Sequence, residues 1–470
     1  MSKMTDYFIN DICSYIKYKE VHKEVREEIS LHIEELKEFY IEKGFSEEEA
    51  EAKAITNMGK AEDIGEKLNK QHKPQTEWSL IILTAIISVF GIMIMYVSSN
   101  FDNQPISFGR HIFHIVLGFA ALVTVYFTDY IKFKKHPVVL FAVAGILLIL
   151  CGCFGNEYNG IRSWIRIGSV SISINSIAGI LFVISFCGFL EKCQNDGFIG
   201  IFIMIIIGLS SILFFALQPS MSMVFMLFIA YAVVLLRAIS LNHFGGNKKI
   251  QIISVLSLGG ISVIFGLLFS LVQNPYRIQK LLMFLNNGAA DPLGGGWIYS
   301  MGHKLLKASV FIGKASPVTE GNIDWVMPSI TTDFALINII YNFGWLAGIA
   351  LLVTIAIFIV RMFITSNRVR NSFGFYVALV CCAMLSIQFV LSSLMNLGLC
   401  PYLDVSLPFI SYGGTNYLTN MIYVGLILSV WRKSNILPRT QNNTGSKEKM
   451  ITFIDNKLII DFGVNKEKNI

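Results

Sequence analysis

The sequence predicts an all-α, polytopic membrane protein with about ten transmembrane helices, preceded by a small cytoplasmic helical domain. Three observations predict it. Of 470 residues, 54% are hydrophobic and only 15% charged, whereas soluble domains carry about a quarter charged residues. Apolar runs of the roughly 20 residues needed to span a bilayer recur near 79–98, 111–130, 137–154, 172–190, 197–217, 220–239, 250–272, 332–361, 373–395 and 417–431. The first run lies behind a charged segment, so no cleavable secretory signal is expected.

Residues 1–74 read as the soluble helical domain. Val25, Ile29, Ile33, Leu36 and Tyr40 recur at helical spacing on an otherwise charged helix, and Gly44 stops it. Ser46 opens the next helix with Glu49 three residues on, a capping box. Ala50, Ala54, Ile55 and Met58 form its apolar stripe before Gly59. Three to four short helices make only a marginal core, and a passive amphipathic cap is as good a reading of these residues as an interaction module. The stretch from Gly44 to Ile64 resembles the HAAS-type prefix domains of bacterial permeases, which implies contact with a cytoplasmic regulator. The transmembrane part is expected over 78–433. The tail, 434–470, is polar apart from an alternating piece, Ile451 to Phe462, read as at most a weak strand pair.

Positive short loops stay cytoplasmic, and the even-numbered connections carry Lys132, Lys134, Lys135, Lys192, Arg237, Lys248, Lys249, Arg361, Arg368 and Arg370. Both termini are therefore expected inside, with a long external loop at about 273–331. Residues 1–74 hold 12 Lys/Arg against 17 Asp/Glu, a balance of −5 that leaves +11 for the rest of a +6 chain. That asymmetry follows membrane topology and excludes a nucleic-acid patch. The eight cysteines form no CxxC and fall mostly inside spans, so neither zinc nor a structural disulfide is expected.

Chemistry is expected where polar groups sit against cost, and four outward-facing segments qualify. Asn159–Ile165 carries Arg162 and Trp164, which on composition alone are equally well interface-belt residues. The long loop opens with Arg277 and Lys280 and exceeds a mere connection. Its cations suit an anionic diphosphate, with ordinary solvated charge as the alternative. Thr331-Thr332-Asp333-Phe334 enters the eighth span. On position alone Asp333 is a helix cap, yet an ionisable group at a membrane edge is a functional candidate. Finally, Leu407-Pro408-Phe409-Ile410-Ser411-Tyr412-Gly413-Gly414-Thr415-Asn416 places Pro, Ser, Tyr and paired Gly where a spanning helix needs only apolar bulk.

The last string, with Thr332-Asp333-Phe334 and the Gly160-to-Ile165 element, resembles the SEDS family (FtsW, RodA, SpoVE) over roughly 78–433. The resemblance implies a bacterial plasma-membrane peptidoglycan glycosyltransferase that polymerises lipid II at the outer face, serving division, elongation or sporulation. It implies Asp333 as the catalytic carboxylate. Trp164, Arg162, Arg277, Lys280, Ser411, Tyr412, Gly413 and Gly414 would contact substrate. It also implies a class B penicillin-binding protein as transpeptidase partner, and leaves room for a divalent cation (Mg or Mn) at the leaving diphosphate.

The chain departs from the family at five places. The family's Glu and Lys are Ser176 and Gly179, the Asp of its Gln-Pro-Asp is Ser220, and its Glu-Glu pair is Tyr341-Asn342. Loss of a coherent set of charges also fits a repurposed cavity, a non-catalytic protein that binds lipid-linked precursor or a penicillin-binding protein. A flippase is the third reading, against which no broken internal repeat is evident.

Overall fold

The computed structural model describes residues 2–99, 108–158, 161–167, 170–218, 220–273, 279, 282–286, 296–317, 327, 329–436, 451–454 and 457–460. The chain divides into two compact units, Met1–Gln75 with Arg432–Ile470, and Thr76–Trp431.

In the first unit, α1 (Lys3–Ser14), α2 (His22–Glu42), α3 (Glu47–Met58) and α4 (Ala61–Gln71) enclose a small core. Ile9, Ile12, Val25, Ile29, Ile33, Ala54, Met58 and Leu68 fill it, joined by Ile436. The expected stripe is thus the buried face, although Leu36 and Tyr40 lie at its margin, half-buried. Ser46 and Glu49 form the reciprocal capping box that starts α3. Inside the tail, the strands β4 (Ile451–Ile454) and β5 (Lys457–Ile460) pair antiparallel.

The second unit is helical. Among the described residues eight helices are long and apolar enough to cross a membrane: Trp78–Ser98, Phe108–Phe127, Pro137–Phe154, Ile174–Lys192, Gly197–Leu217, Met221–Ser240, Trp345–Asn367 and Ser372–Asn396. Helices Lys248–Gln273 and Gly414–Lys433 stand at the other two expected positions. Ile174–Lys192 and Ser372–Asn396 are buried along most of their length. The outer helices instead expose Ile82, Phe113, Val139, Ile199 and Val353, the surface lipid would cover.

Two features differ from the sequence expectation. The run 332–361 is not one span, because a separate helix, Ala335–Phe343, ends at Gly344 before Trp345–Asn367 begins. Gly344 has φ 89°, and a Cβ there would lie 2.6 Å from the Phe311 carbonyl oxygen. The freed backbone is satisfied by the returning loop that precedes it. Trp345 and Leu346 donate to the Val310 and Phe311 carbonyls, and Gly313 donates to Phe343. That loop also holds the helix Trp297–Ala308.

The second difference is a three-stranded antiparallel sheet between spans: β1 (Asn156–Tyr158), β2 (Ile161–Ile167) and β3 (Val170–Ser173). Arg162 and Trp164 lie on its middle strand. Trp164 is paired with Asn156 on one side and Ser173 on the other.

Candidate active site

Asp333 sits in a tight turn that its neighbours determine. Ser329 takes φ 63°, a left-handed conformation unusual for a residue with a Cβ. Its carbonyl then accepts the N–H groups of Thr332, Asp333 and Phe334 at 3.0–3.1 Å. Asn396 Nδ2 donates to the Asp333 carbonyl at 2.8 Å, while Asn396 Oδ1 accepts from Ile337 N at 3.2 Å. The turn is therefore fixed to the end of Ser372–Asn396.

The side chain is not a helix cap. The cap position of Ala335–Phe343 is Phe334, and it has no side-chain hydrogen bond. Asp333 is only 8% exposed, and its Oδ2 accepts the Tyr402 hydroxyl at 2.7 Å. The same hydroxyl lies 3.3 Å from Asp404 Oδ1. Tyr402 is itself held by stacking on Phe334, with ring centroids 5.6 Å apart. Its backbone N–H donates to the Tyr299 hydroxyl at 3.0 Å. Asp404, exposed, adopts φ 56°. Burial first, then the facing Asp404 carboxylate, push the Asp333 carboxyl up to about 7, against the opposing pull of the Tyr402 hydrogen bond.

Beside Tyr402 the described residues enclose a cavity of about 20 Å³ lined by Tyr299, His303, Phe334, Asn396 and others. It holds about one water, far below the roughly 300–1,000 Å³ of a ligand pocket. These residues frame the carboxylate, not a preformed sugar pocket.

The Leu407–Asn416 string explains its own composition. Ser411 Oγ accepts Leu407 N at 2.8 Å, closing a turn in which Phe409 has φ 65°. Tyr412 N donates to the Thr331 carbonyl at 2.9 Å, joining the string to the Asp333 turn. Thr415 Oγ1 accepts Ser173 N at 3.2 Å and lies 3.3 Å from the Ser171 carbonyl, joining it to β3. A Cβ on Gly414 would stand 2.7 Å from His114 Nε2, so that position has no room for a side chain. Gly413 meets only Asn416 at 3.8 Å, and contact does not explain it.

Asp333, Ser411, Tyr412 and Gly414 thus belong to one connected assembly. Trp164 is half-buried on the sheet that Thr415 anchors, and among the described residues no hydrogen bond or ring contact links it to Asp333. Arg162 reaches back 3.5 Å to the Gly152 carbonyl near the end of Pro137–Phe154, as a cation at a helix C-terminus does. Arg277 and Lys280 lie outside the described residues.

The sequence reading missed Tyr402 and Asp404, whose only signal is a lone carboxylate in the Pro401 turn. It also missed His111 and His114, whose rings lie 6.1 and 5.9 Å from Tyr412. The replaced family positions are neutral in their contacts as well. Ser176 Oγ bonds Ser173 Oγ at 3.1 Å, Tyr341 donates to the Ser316 carbonyl, and Asn342 donates to Asn338 Oδ1 at 2.6 Å.

Comparison with known proteins gives consistent results. The family profile FTSW_RODA_SPOVE, described as "Cell cycle protein", matches residues 73–436. A relative named "Probable peptidoglycan glycosyltransferase FtsW" from Coxiella burnetii is 25% identical over 386 residues, covering 77% of this chain and 98% of that protein. One from Treponema pallidum, "Peptidoglycan glycosyltransferase RodA", is 24% identical over 424 residues, covering 75% and 96%. The fold is similar (TM-score 0.62, 20% identity, 76% and 98% coverage) to a chain solved under "Structural coordination of polymerization and crosslinking by a peptidoglycan synthase complex".

Proposed function

The chain belongs to the FtsW/RodA/SpoVE family of cell cycle proteins, and from that premise we propose that it is a multi-pass membrane peptidoglycan glycosyltransferase that extends glycan from lipid II. The observation that carries the reading is Asp333, a buried carboxylate that caps no helix and is held by a phenol in a fixed turn. A sugar hydroxyl is a weak nucleophile, and a carboxylate within reach takes its proton as it attacks. The acceptor is the GlcNAc 4-hydroxyl and the electrophile is the MurNAc anomeric carbon. The lipid diphosphate leaves as a stable anion, which cations such as Arg277 and Lys280 would stabilise further. One base and a good leaving group give inversion, from α-diphosphate to β-1,4 link.

The basic even-numbered loops support termini inside and Asp333 outside. The relatives' names support a place in wall synthesis, with a class B penicillin-binding protein crosslinking the product. Residues 1–74 serve in this reading as a module for a cytoplasmic regulator. The test is polymerisation of labelled lipid II by purified protein, alone and with a candidate transpeptidase, against Asp333→Ala. Product unaffected by the substitution removes Asp333 from the base role.

The neutral contacts of Ser176, Tyr341 and Asn342 favour a second reading, a precursor-binding protein that does not polymerise. It predicts retained lipid II binding with no product in any pairing.

A further inference from the structure

We propose that Asp404 is the outlet through which Asp333 returns its proton to water, with the Tyr402 hydroxyl as the bridge; the inference rests on Asp333 being the base of glycosyl transfer. In each turnover the acceptor oxygen bonds the anomeric carbon, and the carbon–oxygen bond to diphosphate breaks with its electron pair. The hydroxyl proton then rests on Asp333. A base that is 8% exposed cannot shed that proton freely to bulk water, and it must do so before the next sugar.

Among the described residues a hydroxyl relay is built beside it, alongside the direct side-chain hydrogen bond between Asp333 and Asp404. Tyr402 donates to Asp333 at 2.7 Å and stands 3.3 Å from Asp404. A phenol has one hydrogen and can serve one carboxylate at a time. It therefore passes its own proton to Asp404 as it accepts that of Asp333, and ends unchanged. Asp404 is exposed and releases the proton to solvent.

The other groups facing this trio do not compete for the role. Tyr299 and His303 come from helix Trp297–Ala308 and line the cavity with Tyr402, while Asn396 from Ser372–Asn396 is neutral. Asp404 is held at φ 56°, which a short polar side chain tolerates better than most residues. Such strain gathers where geometry serves function. The Asp404 carboxylate also places a negative charge beside Asp333, which resists ionisation of Asp333.

The experiment uses the full chain in lipid nanodiscs, with lipid II polymerisation followed across pH. Asp404→Asn and Asp404→Gly both suit the left-handed backbone, so the turn is retained. Because Asp333 acts ionised, activity falls as pH drops through its titration. Asp404→Asn moves that acid limb about one pH unit lower by removing a like charge, while Tyr402→Phe moves it higher by removing a donor to the ionised form. Asp404→Gly lowers turnover about tenfold, and added formate restores it.

A purely structural role would lower activity without opposite displacements and without rescue. Independently of turnover, pH-difference infrared spectroscopy of the Asp333 carboxyl, assigned with Asp333→Asn, shows its midpoint lowered in Asp404→Asn. An unmoved midpoint, or turnover unaffected in both Asp404 variants, overturns the inference. A moved midpoint in a wild type that makes no polymer keeps the coupling and removes the glycosyltransferase reading instead.

Discussion

In the Ser329–Phe334 turn, Asp333 keeps an ionisable carboxyl almost wholly buried, whereas at positions 176, 179, 220, 341 and 342 every side chain is neutral. The difference lies in the support each receives. Asp333 has a phenol donor and a backbone locked by Asn396 and Ser329, which hold it against the opposing Asp404 carboxylate. Ser176, Tyr341 and Asn342 instead make neutral hydrogen bonds, and a Cβ at Gly179 would meet Met223 and Tyr423 at 3.8–3.9 Å. A buried charge persists where neighbours stabilise it.

The largest test of that contrast is Asp333→Asn, which keeps shape and removes the base. Lipid II polymerisation is expected to fall roughly 10²–10⁴-fold with the melting temperature little changed. Loss of folding together with activity would make Asp333 structural. Next is Ser176→Glu, which returns a single charge to the neutral region. With no cation at Gly179 to meet it, a loss of about 3–5 kcal/mol is expected, read as a lowered melting temperature in detergent. Unchanged melting would show that this region is wet.

Gly414→Ala probes the link between the regions. Its Cβ must displace His114, and a cost of about 1–3 kcal/mol follows, with a matching fall in expression and activity. Gly413→Ala, whose Cβ would meet only Asn416 at an ordinary 3.8 Å, should be close to neutral in the same stability assays. The smallest effect lies in the first unit, where burial and then Glu24 raise Glu28 to about 6. Folding holds that proton more tightly than the unfolded chain does. The penalty is absent below the ordinary carboxylate value, grows as pH rises to about 6, and is complete above it. Glu28→Gln should then stabilise α2 by about 1 kcal/mol at pH 7.5, allowing for partial exposure. Slower amide exchange in α2 is the readout, and equal rates would contradict the raised value.

The spans were legible because apolar runs of bilayer length have few other uses, and among the described residues eight helices of membrane length and hydropathy fall on or across the expected runs. The break at Gly344 was not, because a glycine in an apolar run reads as packing until the Phe311 carbonyl is seen against it. The sheet of Asn156–Ser173 did leave a signal. Ile161, Ser163, Ile165 and Ile167 alternate on β2, a period of two inside a region read for membrane anchors. Asp333 was singled out through its motif, but its hydrogen-bond partner could not be. Tyr402 stands 69 residues away, and no periodicity reports a contact made only by the folded chain.

Tyr412 and Thr415 sit three residues apart where helix Gly414–Lys433 begins, and each holds a different element, the Asp333 turn and the sheet. The head of that helix works as a clasp. A tilt there must carry the Asp333 turn and the Trp164 sheet in concert, so a protein leaning on either one has leverage over the other.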